Sequence, residues 1–168
     1  MDKNRYYIAS VIAVLAVIGI ASVHVTGLAE DKNQEKKSRF RDCKVTIQDA
    51  KTEETLQSLT VQVADSPDKR YIGLSETTSL DKNEGMLFVH ETADVVSYVM
   101  RNMAFPLDII FIAADGRITA IEQAELERDV EAKDLKRYRG YGKYVLEVNY
   151  GFADKHSIEI GDKVKIIE

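Results

Sequence analysis

Polar residues interrupt three apolar runs of this chain. Arg101 and Asn102 end VVSYVMRN, Asp108 stands near the start of LDIIFI, and Glu147 and Asn149 lie within YVLEVNY. Successive strand side chains face opposite ways, so Asp108 shares a face with Ile110 and Ile112, and Glu147 shares one with Val145. A carboxylate on an apolar face is costly unless it is paired or hydrogen-bonded. Arg101 offers a planar fork that can grip Asp108 or Glu147 bidentately. Three chemistries fit this pattern. One is a structural network that pins the turn 102–107. The second is a small polar pocket of Arg101, Asn102, Asp108, Glu147 and Asn149 at the mouth of a curled sheet, where a polar ligand would bind. The third is catalysis by Asp108 and Glu147 as an acid and base pair, as in glycoside hydrolysis. Tyr138, Tyr141 and Tyr144 interleave with Arg137, Arg139 and Lys143 and could form an aromatic and basic lip for a sugar or an anionic polymer. Ordinary surface tyrosines are the plainer alternative.

Other chemistries are poorly supplied. The chain has no GxxxxGK[ST] loop, GxGxxG turn, GxSxG elbow, HExxH or CxxC. Its histidines are His24, His90 and His156, and its one cysteine is Cys43, so no metal site and no cofactor is expected. His90 and His156 read as surface residues, and Cys43 as a small residue opening the first strand. Charge is uneven. Residues 43–168 hold 16 Lys/Arg and 23 Asp/Glu, a net of −7, against +2 for residues 1–42. An acidic domain is a poor binder of phosphate backbones, so no nucleic-acid partner is expected.

The elements that must position these residues are mainly strands. CKVTIQDA and LTVQVA alternate around the polar KTEET and predict a hairpin. Ser66 reads as a helix cap, Pro67 as the first helical residue and Gly73 as the C-terminal stop. Strands are predicted over 85–89, 95–101, 107–113, 117–124, 142–150 and 163–167, with Asp115-Gly116 as a turn. Residues 125–139 are too charged for more than a loop or one amphipathic turn. A short helix is expected over 151–158, with Asn149 as a candidate cap. Gly85, Pro106, Gly151 and the Gly161-Asp162 turn read as structural positions. The fold class is α+β, mainly β: a compact single domain over 43–168 with a curled, barrel-like mixed sheet and two short helices.

One N-terminal transmembrane helix is expected before it. Residues 8–25, IASVIAVLAVIGIASVHV, carry no Asp, Glu, Lys or Arg and are long enough to span a bilayer. Residues 1–28 therefore read as an anchor or signal-anchor, in preference to a cleaved signal, and 29–42 as a charged linker. Counting flanking cations gives two before the span and five after it, which by itself places the domain inside.

Four segments resemble a known family: VQVADSPDKRYIGL (61–74), NEGMLFV (83–89), YVMRNMAFPLDIIFIAADGRI (98–118) and KYVLEVNYGFADKHSIEIGDKVKI (143–166). In this order they resemble the microbial domain-of-unknown-function family 192. The resemblance implies a compact strand-rich domain, often behind a signal peptide or membrane segment, and implies no activity or cofactor. From that habit the domain is expected outside the cytoplasm, on a single-pass membrane protein. The family commonly has an aromatic-Trp pair before Met100 and Lys at 101, where this chain has Tyr98, Val99 and Arg101. Many members carry Asp at 113 or a Cys-containing segment between 122 and 142; this chain has Ala113 and a Cys-free loop. The functional expectation is a binding or accessory module with a small polar ligand. The alternatives are an envelope hydrolase using the carboxylate pair and an assembly partner of an envelope protein.

Overall fold

Alternation of apolar and polar residues sets the first hairpin. In the computed structural model, which describes residues 39–167, β1 (Arg41–Gln48) pairs antiparallel with β2 (Thr55–Ala64). Val45, Ile47, Leu59, Val61 and Val63 fall on one buried face. Phe40 is also buried and Arg41 pairs with Val63, so the strand begins inside the segment read from sequence as linker. The membrane segment predicted over 8–25, and the linker as far as residue 38, lie outside the described residues. Among the described residues no helix is long and apolar enough to cross a membrane.

Helix α1 (Pro67–Ile72) starts and stops where its caps require. Ser66 Oγ accepts from the Lys69 amide at 3.3 Å, Pro67 needs no amide partner, and Gly73 takes φ 50° to end the helix. This crossover lets β3 (Glu84–Tyr98) run parallel to β2. The remaining pairs are antiparallel: β4 (Leu107–Ile112), β5 (Ile118–Ala124), β6 (Tyr138–Asn149) and β7 (Lys163–Ile167) complete the order β5-β4-β6-β3-β2-β1-β7. Helix α2 (Phe152–Lys155) lies between β6 and β7. The sheet curls until Arg117 bridges Lys163, with the Val164 amide donating to Gly116 O at 2.8 Å. The result is a mainly β, half-barrel mixed sheet with two short helices.

Both faces of the central strands are covered. Ile110, Ile112, Leu146, Val148 and Leu87 belong to an inner core, with Phe152 and Ala153 of α2. Leu107, Ile109, Phe111, Val145, Met86 and Phe88 belong to an outer core, with Leu74, Met100 and Tyr138. All six residues of β4 are buried, as a strand sandwiched between two cores must be.

The outer cover comes from the sheet itself. The predicted strands 85–89 and 95–101 are one strand, β3, interrupted by a bulge: Val89 pairs with Tyr144, but Asp94 with Gly142. A straight strand would hold residues eight apart at about 26 Å. Instead the His90 Nε2 and the Tyr98 hydroxyl are 2.9 Å apart. The bulge therefore bends β3 sharply, and its far half, paired to Tyr138–Gly142 of β6, turns back over the outer face. Gly140 makes this possible. A Cβ there would run into the Phe111 ring, and one at Gly142 would meet Ile112 O at 2.9 Å.

Gly140→Ala is therefore expected to cost roughly 1–3 kcal/mol by overpacking. Phe111→Ala alone should cost about 3–5 kcal/mol. Urea unfolding of both variants and of the double mutant should show that the double mutant loses less than the sum, because the smaller side chain removes the clash. Strict additivity would show that Gly140 is not held against Phe111.

Candidate functional site

Strand parity places the two acids of the sequence on opposite faces. Ile109 faces Glu147 across β4 and β6, while Asp108 faces Val148. Asp108 therefore points to the inner side with Ile110, and Glu147 to the outer side with Val145. The carboxylate pair expected for hydrolysis does not form, because a sheet covered on both sides separates the two acids.

Asp108 is fully buried and satisfied by backbone. Its Oδ1 accepts from the Gly151 amide at 2.9 Å and its Oδ2 from the Ala153 amide at 2.8 Å. It thus supplies the N-terminal cap that α2 lacks within its own segment, where Gly151 has φ 74° and no side chain to bond. Burial pushes its pKa up, and the backbone amides of Ala153 and Gly151 pull against that shift. Asn149, expected as the cap, serves another loop: its Nδ2 donates to Asp81 O at 3.1 Å and Leu80 O at 3.3 Å.

Arg101 grips neither acid. β3 ends at Tyr98, so Arg101 and Asn102 lie in a turn and not on a strand face, and Asn102 has φ 55°. The Arg101 guanidinium donates to Tyr71 O at 2.6 Å and stacks 3.9 Å over the Tyr71 ring. The other structural positions act locally. Asp162 accepts from the amides of Glu159 and Ala50, at 2.8 and 3.0 Å, and Gly161 takes φ 105°. A Cβ at Gly85 would meet Glu147 O at 2.6 Å. The tyrosines of the expected lip separate: Tyr138 is buried in the outer core, Tyr144 packs on the inner core and Tyr141 is exposed.

Glu147 and Arg101 nevertheless line the same cavity, of about 620 Å³, beneath the folded-back ribbon. Its walls are α1 with the following turn (Arg70, Tyr71, Leu74), β3 (Phe88, His90, Val96, Tyr98) and the turn after it (Arg101, Met103). Glu147 is only 6% exposed. It makes no hydrogen bond or ion pair with any described residue, and burial alone pushes its pKa up to about 8. Above it the Tyr98 ring packs edge-on to Phe88 at 5.1 Å, and its hydroxyl is hydrogen-bonded to His90. Burial, reinforced by the Glu147 charge, raises the Tyr98 pKa, and burial, reinforced by Arg70, lowers that of His90. Near neutrality the phenol is protonated and the imidazole uncharged. Arg70 donates to Val89 O at 2.8 Å.

His90, Tyr98 and Arg70 were not among the residues picked out by sequence. A signal existed for His90, which keeps the parity of Met86 and Phe88 if the strand is read past Val89. Asn102 lines a different hollow, beside the loop 127–135. Asp108 and Asn149 are not among the residues lining the cavity. Among the described residues no cluster of His, Cys, Asp and Glu could hold a metal ion.

Fold and site together define a half-barrel domain with a pocket roofed by its own ribbon. The chain belongs to domain-of-unknown-function family 192, described as an uncharacterized ACR, whose model matches residues 47–166. Among solved structures it resembles a protein from Sinorhizobium meliloti provisionally assigned as a transcription regulator. That match has 28% identity and a TM-score of 0.67, covering 76% of this chain and 95% of the other. It also resembles a protein of unknown function from Novosphingobium aromaticivorans, with 29% identity and a TM-score of 0.64, covering 75% of this chain and 86% of the other. No curated protein matches the chain.

Two outcomes follow from the separated acids. A folded-state pKa raised above the unfolded value favours the protonated form, so Glu147 disfavours folding progressively as pH rises from about 4.5 towards 8. Denaturation of the wild type should show stability falling across that window. Glu147→Gln should flatten the profile and be more stable than wild type at pH 8. Asp108→Ala should instead cost roughly 1–3 kcal/mol or more at neutral pH, because two buried amides lose their acceptor. Its loss should show first as fast amide exchange at Gly151 and Ala153.

Proposed function

We propose that this protein is a membrane-tethered, extracytoplasmic binding module whose small ligand occupies the cavity beneath the β3–β6 ribbon. The observation that carries the reading is Glu147, a buried acid without a hydrogen-bond or ion-pair partner among the described residues, set in the wall of that cavity. Burial disfavours the charged form of this acid, and a ligand that brings a donor to it would offset that cost. The volume falls within the range of small-molecule sites, and a mostly apolar lining with a few convergent polar groups is their usual composition. Titratable groups displaced from their ordinary pKa values in one cleft add support.

Tethering rests on the apolar segment 8–25, and the extracytoplasmic side on family habit. The transcription role assigned to the Sinorhizobium protein is not favoured for this chain, since residues 43–168 carry a net −7.

A thermal-shift screen of small metabolites against the full-length chain tests the pocket. Ligands that raise the melting temperature should lose their effect in Val96→Trp, which fills the cavity, and in Glu147→Gln. Binders that stabilise both variants as well as wild type would place the site elsewhere. Protease added to intact cells should digest the domain; full protection would overturn the extracytoplasmic assignment.

A further inference from the structure

Resting on that pocket reading, we infer that the ligand is a small zwitterion with an apolar body, of the class of free hydrophobic amino acids, whose ammonium group meets Glu147 and whose carboxylate meets the guanidinium groups of Arg70 and Arg101. The lining itself argues for this class. Glu147 is a buried residue on the cavity wall whose carboxyl meets no hydrogen-bond donor among the described residues, and an ammonium group is the strongest partner a ligand could bring to it. The body of the ligand would lie against Phe88, Val96 and Tyr98, which offer aromatic and aliphatic surface and no open donor except the Tyr98 hydroxyl, already bonded to His90.

A purely cationic ligand meets a difficulty. The charged or titratable groups that line the cavity with Glu147 are Arg70 and Tyr71 from α1, His90 and Tyr98 from β3, and Arg101 from the next turn. Two of these are cations, and none is a second acid. Arg70 and Arg101 each spend one donor on a backbone carbonyl, of Val89 and Tyr71 respectively, and a guanidinium carries five. Their remaining donors suit a carboxylate. A purely anionic ligand would suit the arginines and leave Glu147 unmatched. A zwitterion satisfies both ends.

The pairing has a proton signature. An ammonium beside Glu147 favours its charged form, so a carboxyl that is mostly protonated at pH 7 when empty releases its proton on binding. Calorimetric titration of the full-length chain with L-phenylalanine, L-leucine, phenethylamine and 3-phenylpropionate tests the assignment. Phenylalanine or leucine should bind, with a heat that varies with buffer ionisation enthalpy in the sense of proton release. Phenethylamine and phenylpropionate should each bind roughly tenfold or more weaker than phenylalanine. Glu147→Gln should weaken the amino acids and the amine, abolish proton release, and leave phenylpropionate unchanged or tighter. Arg101→Gln should weaken the amino acids and phenylpropionate but not the amine. Phenylpropionate binding as tightly as phenylalanine, or indifference of the amino acids to Glu147→Gln, would overturn the assignment. If other metabolites bind in the cavity and no amino acid does, the ligand class is wrong and the pocket stands. If nothing in the full metabolite screen binds, amino acids included, both fall.

Discussion

The structure depends on how closely one backbone can approach one ring. The β3–β6 ribbon lies back over the outer face of the sheet only because residue 140 has no side chain where it crosses Phe111. Once the ribbon is down, Tyr98 comes over Phe88 and Phe111 and reaches His90. The same fold-back converts the outer face from an exposed sheet into a roofed one. Glu147, on that face by strand parity, is enclosed as a result. Its altered acidity is therefore a consequence of burial set by backbone geometry seven residues earlier in β6, not of a charged neighbour.

A strand covered on both sides leaves no neutral face on which to place a charge, and the two acids meet this constraint differently. Asp108 is answered by main-chain amides, which are fixed in place and turn the acid into a cap for α2. Among the described residues Glu147 has no such answer. The contrast is one of surroundings: main-chain amides meet Asp108 and hold α2, whereas Glu147 lines open volume. Arg101 stands apart from both, since its stacking on Tyr71 ties the turn after β3 to the end of α1.

Much of the fold was legible because its signals are local. Alternation in β1 and β2, the Ser66-Pro67 start of α1, the Gly73 stop and the Asp115-Gly116 turn depend on neighbours in sequence. The site was legible only in part. Parity predicted that Glu147 lies on an otherwise apolar face, but the pairing of Asp108 with Glu147 required knowing that their faces diverge, which only the β4–β6 register reveals. Arg101 was misplaced because β3 ends at Tyr98, so strand alternation no longer applies at residue 101. The His90–Tyr98 bond was hidden by a bulge, whose long-range effect no window of residues contains. Asp108 took the capping role expected of Asn149, since capping from a distant strand leaves no local trace.

The junction of β5 and β7 carries a consequence for the protein's behaviour among other chains. A sheet's outermost strands usually offer unpaired amides and carbonyls that can recruit a neighbour edge to edge. Here the start of one edge spends its groups on the other: Ile118 donates to Asp162 O, Gly161 donates to Ile118 O and Val164 donates to Gly116 O. The curl thus closes the seam where intermolecular strand addition would otherwise begin, and leaves the folded protein one less template for aggregation.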